Sequence, residues 1–373
     1  MHDKRRRVAW ERAFSTKALR GYDATVVRHA DELKGAISKY EGKPVNVSKW
    51  FNYFTADTIS ALGFGEPFNM LKDGKDHWTI TLLQDGSKHL AALGPIPWIL
   101  TLLNNFPWLQ AANLRANKWT VAQVAKRKER KVEEGVDILH WLLNPLEKMS
   151  DDPKEEQKWL EADARLAIVA GTDTSTAALS YLFLELCKNP AITKEIRKEL
   201  FDHGVEEEFS VHELQNCKYL NSVVDETLRL HPPVPDGVYR LTPPDGLQVG
   251  EAFIPGNVTI INPIYTIQRS AVSYVKPEEF IPERWTSQPE LILNRKAFTP
   301  FGIGSYGCVG KQLALNEIRT VVAKLVLDFD VKFSDGEDGR RILEDTKDYF
   351  VLGLGDLDLC FIEREKGKGE GEQ

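Results

Sequence analysis

Over most of the first two thirds of the chain, apolar residues recur at intervals of three and four, the spacing that lines one face of a helix. The pattern predicts a helix over Trp10–Tyr40 and another over Val47–Leu62, the second stopped by Gly63-Phe64-Gly65. A proline-rich stretch, Gly94–Trp108, leads to a further helix over about Leu109–Val132 with a strongly basic outer face. The longest periodic segment opens at Asp152-Pro153-Lys154-Glu155, an N-cap, a first-turn proline and a capping-box acid, and closes at Lys188 before Asn189-Pro190. Read as one helix, or as a short helix feeding a long one, it would measure roughly 54 Å if unbroken. From Ala164 to Leu186 it is apolar on nearly every side, as a helix in the middle of a domain must be. Lys311–Phe329 is a further amphipathic helix.

Strand signals come late and are brief. Leu247–Val249, a Gly250-Glu251 turn and Ala252–Ile254 read as a small hairpin, with a second pair in Val331–Phe333 and Phe350–Leu359. No internal repeat or dividing linker stands out. The end of the chain is low-complexity, so the expectation is one large helical domain over residues 1–363 and a disordered tail over 364–373. The fold class is therefore mainly α, with small β-sheets.

Composition narrows the function. The chain has 373 residues, 42% hydrophobic and 28% charged, the balance of a globular protein with a sizeable core rather than a disordered or collagen-like one. A formal net charge of −7 argues against a nucleic-acid partner. Four cysteines with no close pair (Cys187, Cys217, Cys308 and Cys360) fit a reducing compartment and exclude a disulfide scaffold. The longest apolar run, Leu90–Leu103, is broken by Gly94, Pro95 and Pro97 and falls short of the ~20 residues a bilayer requires, so no spanning helix is expected, although a dip into a membrane surface is compatible with it. The N-terminus carries no signal-peptide pattern and begins abruptly inside a helix-like pattern, as the remainder of something longer would.

Three motifs carry chemistry. Between Gly302 and Gly310 there are four glycines in nine residues, which lets backbone turn tightly and approach a flat ligand. Cys308 lies just before a helix N-terminus, where amides and the helix dipole stabilise a thiolate able to ligate a metal. An isolated cysteine is more often buried and inert. Gly302–Gly307 also matches the dinucleotide fingerprint GxGxxG, but the charged, proline-bearing Asn294–Pro300 is no central strand, and βαβ alternation is lacking. A phosphate-binding loop fails on spacing and on Gln312, and His212-Glu213 lacks the second histidine of a zinc helix.

The second motif is Ala170-Gly171-Thr172-Asp173-Thr174-Ser175-Thr176, inside the apolar helix. Threonine hydroxyls that bond back to the previous turn deform a helix and open a groove at the glycine, where an acid and a hydroxyl could relay protons to a small ligand. A kink that merely eases packing explains the same residues. Third, Glu226 and Arg229 stand at i and i+3, and Arg284 in Pro282–Trp285 offers a second guanidinium. As a surface pair they would contribute little, whereas a Glu-Arg-Arg cluster could lock a loop by bidentate pairing.

With these motifs the chain resembles the cytochrome P-450 family of haem-thiolate monooxygenases, in particular its fungal members, over about residues 2–363. Ala170–Ser175 is similar to the family's oxygen-binding motif, Glu226–Arg229 to its ExxR pair, and Phe280–Trp285 to the loop completing that triad. Phe301, Gly304, Cys308 and Gly310 match its haem-binding loop in order and spacing. The resemblance implies haem b with Cys308 as axial iron ligand, pushing electron density toward O–O cleavage. It implies Asp173 and Thr174 as the catalytic pair delivering protons to bound dioxygen. Arg7, Ala170, Gly171, Arg240, Phe301, Gly302, Gly304, Tyr306 and Gly310 would bind the cofactor, with Arg7 and Arg240 on its propionates, and Glu226, Arg229 and Arg284 would be structural. Tyr306 departs from the usual arginine or histidine, so a charge pairing is lost there.

The implied activity is NADPH- and reductase-dependent hydroxylation or epoxidation of a small lipophilic substrate in secondary metabolism. Its partners would be that substrate, dioxygen and an NADPH-cytochrome reductase docking near Lys4–Arg7 and Lys311. Substrate contacts are expected from Trp78–Trp108, the first half of the long helix, Val234–Val238 and Tyr349–Leu352. The chain begins at the family's C helix, so the expected fold is a cytochrome P-450 fold lacking its N-terminal part, anchor included. Relatives of this type sit on the endoplasmic reticulum membrane, and a chain without an anchor would be cytoplasmic. The competing expectations are a haem-binding, non-catalytic truncated remnant and a dinucleotide-binding protein at Gly302–Gly307.

Overall fold

The segment read as one or two helices forms a single central helix, Pro153–Lys188, of 36 residues. Asp152 caps it by accepting from the Lys154 amide at 2.9 Å, with Pro153 in the first turn, where no amide is needed. The reciprocal contact comes from Glu156 rather than Glu155: its Oε1 accepts from the Ser150 amide at 2.7 Å. Every residue from Ser175 to Cys187 is buried, because Val47–Phe64, Lys218–Leu230, Lys311–Asp328 and Ala111–Glu129 all pack against this helix. The structure, a computed structural model, describes residues 2–93, 98, 102, 111–130, 137–146, 150–206 and 208–364. The tail from residue 365 and most of Gly94–Trp108 lie outside these.

The helix expected over Trp10–Tyr40 is two. A helical segment from His2 to Ala13, with a π-helical turn at Arg6–Trp10, ends at Phe14. Ser15 then caps Thr16–Ser38 by accepting from the Ala18 amide. The apolar stripe runs through this corner without a change of phase, which is why periodicity alone joined the two. Val47–Phe64 starts on Asn46 and stops at Gly65, whose φ of 77° is the left-handed conformation that favours glycine. The basic helix occupies Ala111–Glu129, and Lys311–Asp328 begins at Gly310.

The sheets are small and antiparallel. Leu247–Val249 pairs with Ala252–Ile254 as read, Gln248 opposite Phe253. Phe329–Phe333 pairs with Asp358–Glu363, whose other edge takes Pro44–Asn46 from the distant N-terminal half. The strand expected over Phe350–Leu359 is displaced: Leu352–Gly353 turns back on Lys347–Asp348, and the longer strand begins only at Asp358. Arg240–Leu241 and Thr259–Ile260 form a further pair too short to signal itself in sequence. No helix among the described residues is long and apolar enough to cross a membrane. The largest fully buried side chains include two arginines, Arg229 and Arg284, beside the aromatic core.

Candidate active site

The loop before Lys311 turns as its glycines dictate. Gly302 and Gly304 adopt φ of +67° and +73°, and a Cβ on Gly304 would meet nothing within 4 Å. The Cys308 amide donates to Phe301 O at 2.7 Å and closes the turn, while Arg6 Nη1 reaches from the N-terminal helix to Gly307 O at 2.8 Å. Cys308 is solvent-exposed; Cys187, Cys217 and Cys360 are buried, and all four are free thiols. The surrounding protein pushes the Cys308 thiol up by desolvation. The amides of Gly310 and Lys311 and the charges of Arg6 and Lys311 act in the opposite direction, favouring the thiolate.

Ile303 and Tyr306 project into solvent from the same loop, Tyr306 at 62% exposure. The guanidinium of Arg240 stands over the Tyr306 ring at 5.4 Å, so two residues expected at the propionates are neighbours. The Arg7 side chain lies outside the described residues; Arg6 of the same helix is the one seen to reach the loop. Arg295–Ala297 is a short 3₁₀ turn and no strand leads into Gly302, so the arrangement a dinucleotide fingerprint requires does not form.

On the central helix, Leu166, Ala170 and Thr174 are spaced by four and share one face. Leu166 is 55% exposed and Ala170 is exposed, although the helix is buried throughout from Ser175 to Cys187. Thr174 Oγ1 donates to Ala170 O at 2.7 Å, and Thr172 and Thr176 bond back in the same way, yet the helix continues unbroken. Gly171 faces a neighbour: a Cβ there would lie 2.6 Å from Ile59 Cγ1, so this glycine lets Val47–Phe64 pack close, and the groove expected at it is filled by Ile59. Asp173 is buried and accepts from Gln84 Nε2 at 2.9 Å; burial pushes its pKa up, and that one hydrogen bond only partly offsets the effect. Ser175 Oγ donates to Glu317 Oε2 at 2.8 Å, tying the central helix to the one that follows Cys308.

Near the end of Lys218–Leu230, Glu226, Arg229 and Arg284 come together with no solvent exposure. Glu226 accepts from Arg229 Nε and Nη2, from Arg284 Nε, from Trp285 Nε1 and from the Ile281 amide, all at 2.9 Å. The remaining guanidinium donors go to carbonyls of Gln268, Val275, Lys276, Pro277, Glu279 and Leu291. Both arginines are thereby satisfied, which is the condition for burying such charge. Sequence reasoning did not find Gln84 or Glu317. Glu317 carried a faint signal, an acid on the buried stripe between Leu313 and Ile318; Gln84 carried none.

A haem requires an open cysteine whose sulfur meets donors, a flat backbone surface and basic groups at its rim. Among the described residues no three His, Cys, Asp or Glu side chains gather, and a porphyrin, which brings four nitrogens of its own, does not need such a cluster. The residues fit. The model of the cytochrome P450 family matches residues 1–361. The chain belongs to the cytochrome P450 family.

Among its relatives, cytochrome P450 monooxygenase FCK2 of Fusarium pseudograminearum is 35% identical over 96% of this chain and 65% of its own length. Cytochrome P450 monooxygenase notG' of Aspergillus versicolor is 36% identical over 97% of this chain and 66% of its own. Tryprostatin B 6-hydroxylase of Aspergillus fumigatus is 35% identical over 97% of this chain and 65% of its own. The chain thus spans just under two thirds of the length of these relatives. A crystal structure of the cytochrome P450DA heme domain matches with a TM-score of 0.80 at 20% identity, covering 97% of this chain and 77% of that one, which establishes the P450 fold. The family's cofactor is haem held by a cysteine thiolate.

Proposed function

We propose that this P450 chain is the core of a haem-thiolate monooxygenase that transfers one oxygen atom of dioxygen to a small lipophilic substrate of fungal secondary metabolism. The domain responsible is residues 1–363, followed by the tail over 364–373. The observation that carries the reading is Cys308, the exposed one of four cysteines, set in a glycine turn closed by its amide on Phe301 O and reached by Arg6 at Gly307 O. When bound, haem supplies the oxygen-activating chemistry, and cysteine ligation biases it toward O–O cleavage.

The chain's own residues have separable tasks. Cys308 would hold the haem iron through its sulfur. Phe301, Gly302, Gly304 and Gly310 shape the loop that receives one haem face, while Ala170 and the backbone at Gly171 border the other. Arg240 and Tyr306 serve the propionates, with Arg7 on the N-terminal helix; the 5.4 Å stacking of Arg240 on Tyr306 supports a shared role. Asp173 and Thr174 hold and move protons, consistent with a buried acid whose pKa is raised and with a hydroxyl one residue away. Glu226, Arg229 and Arg284 fix the loop over Phe280–Trp285.

Exposed apolar side chains at Leu166, Val238 and Phe350 support a lipophilic substrate. Relatives named as monooxygenases, and one as a 6-hydroxylase, support hydroxylation as the reaction. Electrons would arrive from NADPH through a flavoprotein reductase docking near Lys4–Arg7 and Lys311. The alternative reading is a haem-binding remnant without turnover.

The test is spectral. Protein produced with ample haem should, when reduced under CO, give the red-shifted Soret band of thiolate ligation, and Cys308→Ala should lose it. A colourless, folded wild-type protein would overturn haem binding. A normal band without substrate-dependent NADPH consumption in the presence of reductase would favour the remnant.

A further inference from the structure

Asp173 receives its side-chain hydrogen bond from another helix. Gln84 lies on Trp78–Leu93, and its Nε2 donates to Asp173 Oδ1 at 2.9 Å. Asp173 is 8% exposed. An ionised carboxylate so buried calls for a cation. Among the described residues none acts on it, and burial, with only the Gln84 amide in opposition, favours the neutral acid.

Charged groups on the elements around it are engaged elsewhere. Glu317 accepts from Ser175, Asp57 accepts the Met70 and Leu71 amides, and Asp163 pairs with Arg5. Asp85, next to Gln84, is exposed; the side chains of Lys88 and His89 lie outside the described residues.

We propose that Gln84 is a positioning residue that decides which oxygen of Asp173 carries the proton. The carbonyl oxygen of a carboxylic acid is a much stronger acceptor than its hydroxyl oxygen, so Oδ1, held by the Gln84 amide, acts as the carbonyl and the proton resides on Oδ2. When Oδ2 gives up that proton, the O–H electron pair stays on a buried carboxylate steadied by one neutral donor. Such a group recaptures a proton from solvent readily. A cation in place of the amide would hold the ionised form instead and stop the exchange. Because the amide sits on a separate helix, a shift of Trp78–Leu93 along the central helix would release the acid. The placement of the proton is independent of catalysis; its catalytic consequence rests on Asp173 acting as proton donor.

Infrared difference spectra of holoprotein against Asp173→Asn isolate the carboxylic C=O stretch. Wild type should keep the protonated band to a pH above the ordinary carboxylate range, the direction that burial imposes. Gln84→Leu should keep the band but move it to higher frequency, since Oδ1 loses its donor. Gln84→Lys should weaken it and lower the titration midpoint by at least about one pH unit, the shift expected of an adjacent cation. Gln84→Asn, too short to reach, should behave as the leucine variant. A packing defect would not move leucine and lysine variants in opposite directions. An unchanged frequency in Gln84→Leu, or an unchanged midpoint in a folded Gln84→Lys, overturns the assignment. If both shifts occur while the ratio of peroxide to product stays constant in Gln84→Lys, the assignment stands and the proton-donor role of Asp173 falls.

Discussion

Glu317 offers the most quantitative test of how the two site helices are joined. It is 2% exposed on the helix that follows Cys308, and Ser175 Oγ reaches it at 2.8 Å from the central helix. Burial, partly offset by that hydrogen bond, pushes its pKa from 4.5 up to about 8. At neutral pH the carboxyl is therefore protonated in the folded protein and ionised in the unfolded chain, so folding takes up a proton. The folded-state pKa lies above the unfolded one. Stability from this group is fully present below about pH 4.5 and is lost as pH climbs toward 8.

Each pH unit in that window costs about 1.4 kcal/mol, or about 3 kcal/mol accumulated at pH 7. Glu317→Gln keeps the shape and an acceptor for Ser175 but never ionises. Its extra N–H bonds cost roughly 1–3 kcal/mol if they find no acceptor, a term that does not vary with pH. The difference in unfolding free energy between variant and wild type should thus rise with pH from about 5 to about 8 by about 4 kcal/mol in all. Urea unfolding of both holoproteins at several pH values measures it, and other titrating groups such as Asp225 cancel in the comparison. A difference that stays flat across the window would refute a neutral, buried Glu317.

Two further outcomes follow from packing and charge. Arg229→Ala leaves Glu226 with a buried charge and fewer donors, so stability should fall by about 3–5 kcal/mol and haem incorporation should be lost; Arg229→Lys should not rescue it, since one ammonium cannot replace the planar fork. A normal yield of coloured protein from the alanine variant would refute the locked loop. Gly171→Ala places a methyl 2.6 Å from Ile59 Cγ1 and should lower thermal stability by about 1–3 kcal/mol, restored in part by Ile59→Ala. An unaltered melting temperature would show that the two helices separate freely.

Local signals determined a great deal. Asp152-Pro153 set the start of the central helix and Gly65 the end of Val47–Phe64, because caps and left-handed glycines act within one turn. The cysteine loop and the Glu226–Arg229 spacing were legible for the same reason: their geometry is fixed by neighbours in sequence. Tertiary structure decided what lay across the chain. The corner at Ser15 was invisible because the apolar stripe continues through it, and the partners of Asp358–Glu363 come from two distant segments. Gln84 meets Asp173 across 89 residues and Ser175 meets Glu317 across 142, so no periodicity could announce either contact. Whether Gly171 bordered a groove or a helix depended on Ile59 arriving there. Periodicity records which face of an element is apolar; only packing of the whole chain selects what that face meets and which acids lose their water.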